Sequence, residues 1–208
     1  MPTTARLGPA LVLLAVLLAA GGASAHDRDK RPKTAVESQG PPTLPTAFAF
    51  DIGGPFALID HRGRNVTDRD YRGAFLLVFF GYASCENICP VALGSMAAAL
   101  DLLGPAGEDI QPLLITVDPA TDGMEALAAY VPKVHPRLVG LTGSAQALEA
   151  AAKAYHVESR KVGTAWDGGP IFSHGSYLYL MGRDGEFLTL LPPVMDAQTM
   201  AKTIQRYL

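Results

Sequence analysis

Two cysteines separated by three residues, Cys85 and Cys89, are the residues whose type and spacing best support chemistry in this chain. They are its only cysteines, and a disulfide between them would close too short a loop to constrain the unfolded chain strongly. A helical pattern follows over about residues 90–103, so we expect Cys85 at or just before its first turn and Cys89 one turn further on. A helix N-terminus favours thiolate over thiol, and residues four apart share a helix face. The pair is therefore predicted to clamp a soft metal ion between two sulfurs.

The donor set narrows the choice of metal and leaves a third ligand to be found. Thiolates select copper(I), zinc or iron–sulfur clusters, and two sulfurs are too few for a cluster. Copper outranks zinc at equal availability, and an incomplete ligand set suits transfer better than a structural zinc site, which takes four ligands. His174, in the segment Phe172-Ser173-His174-Gly175-Ser176, is the candidate third ligand, although its residue type alone favours a hydrogen-bonded loop position. Surface or capping roles are predicted for His61, His135 and His156.

The elements that must position these residues alternate between strands and helices. Residues 75–80 form a continuous apolar run typical of a central strand buried on both faces, and residues 111–117 form a second. A short strand is predicted at 137–141, helices at about 122–130, 144–155 and 196–207, and hairpins around residues 60–63 and 182–185. This order predicts an α/β domain with a mixed central sheet, helices on both faces and an N-terminal hairpin. A cysteine pair directly after the first buried strand favours the thioredoxin-like variant of that architecture.

The N-terminal segment has the features of an export signal. Arg6 precedes an apolar run over residues 10–20, and Ala23-Ser24-Ala25 is typical of a cleavage site. We therefore predict a signal peptide over residues 1–25, a flexible linker over 26–45 and one domain over 46–208. The alternative is an uncleaved segment that anchors the protein in the membrane. In both cases the domain is exported, either to the periplasm or to the outer face of the inner membrane.

Composition bears on the partners of this domain. A chain that is 49% hydrophobic can fill a core of this size. Its formal net charge of −3 gives no support to nucleic acid or anionic lipid as a partner. A membrane is predicted to be a partner only through an uncleaved N-terminal segment.

An ordered set of motifs resembles the Sco/SenC family, which is named for the synthesis of cytochrome c oxidase. The similarity covers about residues 48–192 and rests on four motifs: Phe79-Phe80-Gly81-Tyr82 before Cys85-x-x-x-Cys89-Pro90, Thr116-Val117-Asp118-Pro119 with Asp122, Gly140-Leu141-Thr142-Gly143, and His174-Gly175-Ser176. It implies a thioredoxin-like fold that binds copper, as copper(I) or copper(II), through Cys85, Cys89 and His174. It also implies delivery of that copper to a respiratory cuproprotein, with the copper A centre of cytochrome c oxidase as the expected recipient and an upstream copper donor.

The alternative function is that of a periplasmic thiol–disulfide reductase. Cys85 and Cys89 would then be a redox-active dithiol that prepares the cysteines of the copper A centre and is recharged by a thiol reductant. Oxidation would destroy the metal clamp, so the two functions compete for the same sulfurs. A reductase has no need of His174, and we prefer the copper carrier, which is not an enzyme.

Two features remain beside this resemblance. The family often has Cys-Pro-Asp-x-Cys-Pro, whereas this chain has Glu86 and Asn87 in the second and third places. The charge of Glu86 is expected to raise the pKa of the cysteines. Asp118 and Asp122 are expected to form a turn that caps the next helix through Asp122, with a role near the copper or in docking as the alternative.

Overall fold

The computed structural model describes residues 51–166 and 168–208. Its strands are β1 (Ala57–Asp60), β2 (Asn65–Thr67), β3 (Phe75–Gly81), β4 (Ile110–Thr116), β5 (Val139–Thr142), β6 (Ser159–Thr164), β7 (Pro170–His174), β8 (Leu178–Met181) and β9 (Phe187–Leu191). Its α-helices are α1 (Ile88–Leu103), α2 (Met124–Val134), α3 (Ala145–Ala154) and α4 (Ala197–Ile204). The predicted signal peptide, linker and domain start fall outside the described residues and stay predictions.

The central sheet mixes parallel and antiparallel strands, as predicted. Its order is β2-β1-β5-β4-β3-β8-β9. Strands β3, β4 and β5 run parallel, β8 is antiparallel to β3, and β1 is antiparallel to β5. The N-terminal hairpin β1–β2 forms one edge of the sheet and the hairpin β8–β9 forms the other. The predicted order of these elements is therefore confirmed.

Helices cover both faces of the sheet, and β3 is buried between them along its whole length. Leu77 and Phe79 pack into one hydrophobic cluster with α1, α2 and α4, whereas Val78 and Phe80 pack into a second cluster with α3. This division follows from the alternation of side chains along a strand. All residues of β3 are buried, and each fully buried large apolar side chain contributes about 1.5–3 kcal/mol. The strand that leads into the cysteines is thus firmly anchored.

Helix α1 begins at Ile88 and has an apolar face of helical period. Its buried residues recur every three or four positions and are Cys89, Ala92, Leu93, Met96, Ala99, Leu100 and Leu103. The stretch Ile88–Asp109 is long and apolar enough to cross a membrane by length and composition, and it packs here as a core helix on the sheet and α4. Gly104, with a φ of 53°, ends the helix in a conformation that favours glycine.

Strands β6 and β7 form a separate two-stranded sheet that the sequence did not predict. Ser159 in β6 pairs with His174 in β7, so the segment expected to be a loop around His174 is the end of a strand. Strand β6 reads SRKVGT and is exposed along almost its whole length, so it lacks the apolar alternation that marks a half-buried strand. The hairpin is anchored instead through Phe172, which packs against the core cluster of α1.

Candidate metal centre

The topology brings His174 to the cysteines. Strand β3 ends at Gly81, just before the cysteine loop, and Phe79 near that end pairs with Leu178 at the start of β8. Because β8 is antiparallel to β3, the residues that precede β8 lie beside the residues that follow β3. His174 precedes Leu178 by four positions, and it therefore reaches the cysteine end of the sheet.

The imidazole of His174 faces the sulfur of Cys89. Its Nε2 atom lies 3.9 Å from Cys89 Sγ, and its Nδ1 atom lies 3.1 Å from the carbonyl oxygen of Gly175. In the tautomer that carries its proton on Nδ1, the ring donates to Gly175 and keeps a free lone pair on Nε2, directed at the sulfur. This is the arrangement of a histidine ready to bind a metal.

The separation of these two atoms fits a shared ion. Metal bonds of about 2.3 Å to sulfur and about 2.0 Å to nitrogen span up to about 4.3 Å, so 3.9 Å can accommodate both. Within the described residues, no three His, Cys, Asp or Glu side chains are already grouped as a metal site. Binding of one ion by all three donors would therefore require them to move closer together.

Aromatic rings hold the imidazole in place. His174 makes edge contacts with Phe79, at 6.3 Å between ring centroids, and with Tyr82, at 6.0 Å. Both cysteines are buried, with 7% of Cys85 and none of Cys89 exposed. The donor atoms thus lie in a mostly apolar surrounding that limits their movement and their contact with water.

The cysteines do not share a helix face, so that part of the prediction is wrong. Helix α1 begins at Ile88, which places Cys89 in its first turn and leaves Cys85 in the preceding turn. The Cys85 backbone N–H donates to the carbonyl oxygen of Tyr82, at 3.2 Å, and this turn directs the chain back towards the helix. The backbone N–H groups of Asn87 and Cys89 lower the pKa of the Cys85 thiol. This is the stabilisation of the thiolate that was expected at a helix start.

The two thiols have opposite pKa shifts. A hydrogen bond from the Cys89 thiol, assisted by the Asn87 and Cys89 N–H groups and the Tyr82 hydroxyl, outweighs burial and lowers the pKa of Cys85 to about 5. The pKa of Cys89 is raised because its thiol donates to Cys85 and is buried. Glu86 is exposed, and the rise in pKa expected from its charge stays a prediction. At neutral pH the pair is one thiolate and one thiol.

Asp122 holds the cysteine loop rather than capping a helix. Its Oδ2 atom accepts hydrogen bonds from the Ala83 N–H, at 2.9 Å, and from the Thr116 hydroxyl, at 2.8 Å. The N-cap residue of α2 is Gly123, and no side-chain hydrogen bond caps this helix start. The predicted capping role of Asp122 is therefore wrong. Asp118 lies beside this network, where its N–H donates to the Thr116 hydroxyl and its carboxylate accepts from Thr121. Burial raises the pKa of Asp122.

The other histidines within the described residues make structural contacts. His61 accepts from the Gly140 N–H, His135 follows the last residue of α2, and His156 contacts the Asp51 carbonyl. His135 is buried, with 8% exposed. The predicted alternative of a surface position is therefore wrong for this residue. Tyr82 entered the sequence analysis only as part of a motif, although its ring contacts His174 and its hydroxyl accepts from the Phe172 N–H.

Comparison with known proteins identifies the group to which this molecule belongs. The family model described as SCO1/SenC matches residues 45–208. The chain belongs to the SCO1/SenC family. The predicted membership is thus confirmed, and so is the predicted thioredoxin-like α/β fold, which SCO1/SenC proteins share.

Several SCO1/SenC relatives resemble the chain over most of its domain. Protein sco1 of Schizosaccharomyces pombe is 34% identical over 200 residues, which are 93% of this chain and 75% of that protein. The human mitochondrial protein SCO1 homolog is 40% identical over 139 residues, which are 66% of this chain and 46% of that protein. The chain spans about half the length of the mitochondrial relatives that it matches. The crystal structure of Arabidopsis thaliana ScoI with copper bound has a TM-score of 0.72 and 32% identity, and the match covers 75% of this chain and 97% of that one.

Proposed function

We propose that this SCO1/SenC protein binds one copper ion through Cys85, Cys89 and His174 and delivers it to a cuproprotein. The copper A centre of cytochrome c oxidase is the proposed recipient. The observation that carries this proposal is the Nε2 atom of His174, which lies 3.9 Å from Cys89 Sγ with its Nδ1 atom against Gly175. The copper found in Arabidopsis ScoI supports the choice of metal.

The protonation of the two thiols prepares them for a cation. Cys85 supplies a thiolate at neutral pH, whereas Cys89 must lose its proton when the ion binds. The thiol hydrogen bond from Cys89 to Cys85 is then replaced by two metal–sulfur bonds. Binding should therefore release a proton and become tighter as the pH rises.

Three protein donors leave an open side for exchange. Copper(I) accepts a low coordination number and soft ligands, so thiolates or thioethers of a partner can enter while His174 and one cysteine still hold the ion. Stepwise replacement keeps the ion bound throughout the transfer. The chain contributes the sulfurs, the oriented imidazole and the buried surrounding.

Substitution of each donor tests the assignment. The variants Cys85→Ala, Cys89→Ala and His174→Ala should each lose stoichiometric copper and the sulfur-to-copper(II) charge-transfer band of the reduced domain. His156→Asn is the matched control, because it removes an imidazole outside the donor set and asparagine tolerates the positive φ of 54° at this position. If all three donor variants kept normal copper binding, the site would be wrongly assigned.

A second function, thiol–disulfide reduction of the recipient's cysteines, is favoured by the asymmetry of the pair. A thiolate at Cys85 beside a protonated thiol at Cys89 is the arrangement of an attacking and a resolving thiol. The two functions separate at His174→Ala, which should abolish copper transfer and leave disulfide exchange intact. Loss of disulfide exchange without loss of copper would instead favour a reductase that depends on the imidazole.

The location and partners of the domain follow from this function. We place it outside the cytoplasm, in the periplasm or anchored at the outer face of the inner membrane, where its recipient would be reached directly. An upstream copper donor or a thiol reductant would restore it after each transfer. Fractionation of cells that express the tagged full chain tests this placement, and recovery of the protein in the cytoplasmic fraction would contradict it.

A further inference from the structure

Strand β7 carries the proposed imidazole ligand and, within the described residues, pairs with another strand along one edge only. Its partner is β6, and this two-stranded sheet shares no ladder with the seven-stranded one. Alternate N–H groups of such a strand point away from its partner and must find other acceptors. The placement of His174 therefore depends on side chains of the core that reach the other edge of β7.

Tyr82, the first residue after β3, reaches that edge. Its hydroxyl oxygen accepts a hydrogen bond from the Phe172 N–H, at 3.4 Å. Its ring makes edge contacts with the ring of Phe172, at 5.4 Å between centroids, and with the imidazole of His174, at 6.0 Å. Tyr82 is buried, with 5% exposed, so a lost contact is not readily replaced by one to water. One core side chain thus contacts both the backbone of β7 and the proposed ligand.

We propose that Tyr82 is a positioning residue that holds His174 beside the cysteines before the ion arrives, an inference that rests on the proposed function. Strand β3 anchors Tyr82, because every residue of that strand is buried. The phenol in turn fixes β7 at Phe172, two residues before the strand ends at His174. An imidazole held in this way loses little freedom when copper binds, so the ion is bound more tightly. Removal of these contacts should therefore weaken copper binding through the imidazole, while the two sulfurs keep their own affinity.

Two substitutions separate the hydroxyl of Tyr82 from its ring. Tyr82→Phe removes the acceptor of the Phe172 N–H and should weaken copper(I) binding about threefold. Tyr82→Leu also removes the ring contacts and should weaken it by roughly tenfold. Competition with a copper(I) chelator measures both affinities. Tyr179→Phe and Tyr179→Leu are the matched controls, because Tyr179 is also 5% exposed but lies in the other core cluster, and both should keep wild-type affinity.

A second background shows whether Tyr82 acts through the imidazole. In His174→Ala protein the two sulfurs alone hold the ion, so Tyr82→Leu should no longer change the affinity that remains. Equal losses with and without His174→Ala would mean that Tyr82 merely supports the fold, and they would overturn the proposal. Wild-type affinity in folded Tyr82→Leu would also overturn it. Wild-type affinity in His174→Ala alone would instead contradict the proposed function.

Amide hydrogen exchange of the metal-free protein tests the contact without copper. Tyr82→Phe should speed exchange of the Phe172 N–H by roughly tenfold, because its acceptor is lost, whereas exchange in Tyr179→Phe should match the wild type. If Tyr82→Leu does not fold, Phe172→Leu replaces it, because this change keeps the backbone donor and removes the ring that the phenol contacts. Its copper affinity should fall several-fold, and only while His174 is present. Unchanged exchange in Tyr82→Phe, or wild-type affinity in Phe172→Leu, would refute the positioning role.

Discussion

The carboxylate of Asp122 lies 2.9 Å from the backbone nitrogen of Ala83, two residues before Cys85. The same oxygen accepts from Thr116 at the end of β4, so one buried side chain fixes the cysteine loop to the neighbouring strand. The position of the Cys85 sulfur thus depends on a residue that belongs to neither the cysteine motif nor β3.

Removal of this acceptor should destabilise the domain and loosen the loop. Asp122→Ala leaves the half-buried Ala83 N–H and the buried Thr116 hydroxyl without their partner, and we expect a loss of about 2–4 kcal/mol in the free energy of unfolding. Asp122→Asn is the control, because its amide oxygen can accept both bonds, and it should lose less than about 1 kcal/mol. Urea unfolding measures both, and equal losses in the two variants would contradict this role.

The low pKa of Cys85 should depend on its neighbouring thiol. The hydrogen bond from Cys89 is the largest cause of the shift to about 5, so Cys89→Ala should raise the pKa of Cys85 towards its ordinary value. Cys89→Ser retains a donor and should preserve part of the shift. Titration of the ultraviolet thiolate absorbance of the reduced, metal-free protein gives the three pKa values. A pKa near 5 in Cys89→Ala would show that backbone donors suffice.

The stability of the reduced protein should rise with pH between about 5 and 9. In this range the native Cys85 has lost its proton, whereas the unfolded thiol, with a pKa of 9.0, still holds it. The contribution of Cys85 is therefore complete above pH 9 and is lost as the pH falls through about 5. Cys89 has the opposite shift and should reduce stability only as the pH rises above 9.

Urea unfolding with reductant across this range checks that dependence. Cys85→Ser lacks the titrating group and serves as the reference for all other ionisable residues. The difference in stability between wild type and this variant should increase with pH up to about 9. A difference that did not change with pH would mean that Cys85 titrates alike in the native and unfolded states.

Gly81 makes room for the Cys89 sulfur. A Cβ at this position would lie 2.7 Å from a ring atom of Phe79 and 3.2 Å from Cys89 Sγ, and Phe79 is fully buried. Gly81→Ala should therefore cost about 1–3 kcal/mol and weaken copper binding by displacing the sulfur.

Gly94→Ala is the matched control for this crowding. Gly94 lies in α1, where an added Cβ meets nothing within 4 Å, so the change should stabilise the helix by up to about 1 kcal/mol and leave copper binding intact. Chemical unfolding and copper titration of both variants check the pair. Normal copper binding in Gly81→Ala would show that the sulfur can move aside.

The sequence predicted the features that depend on local pattern. A strand buried on both faces must be apolar throughout, so the run at 75–80 sufficed to predict β3. The side chain of Ser144 accepts from the Ala147 N–H, at 3.2 Å, as expected for a cap that acts within three residues. The approach of His174 to the cysteines was implied by the family resemblance and is explained by the pairing of β8 with β3.

The features that the sequence did not predict depend on distant contacts or on weak patterns. The partner of Asp122 is 39 residues away along the chain, and a local interpretation therefore assigned this carboxylate to the helix beside it. Strand β6 is polar because it is exposed, so no alternation marked it. Cys85 lies outside α1 because a turn in which its N–H donates to the Tyr82 carbonyl oxygen precedes the helix start at Ile88.

The hairpin of β6 and β7 shares no ladder with the seven-stranded sheet. The sulfurs are consequently supported by the parallel strands of the core, while the imidazole is carried by the peripheral β6–β7 hairpin, which has its own pairing. Residues inserted or removed at the far end of the hairpin, around Gly168, would leave the register of β3 and β8 untouched. The length of the β6–β7 hairpin can thus vary without changing the position of the metal donors.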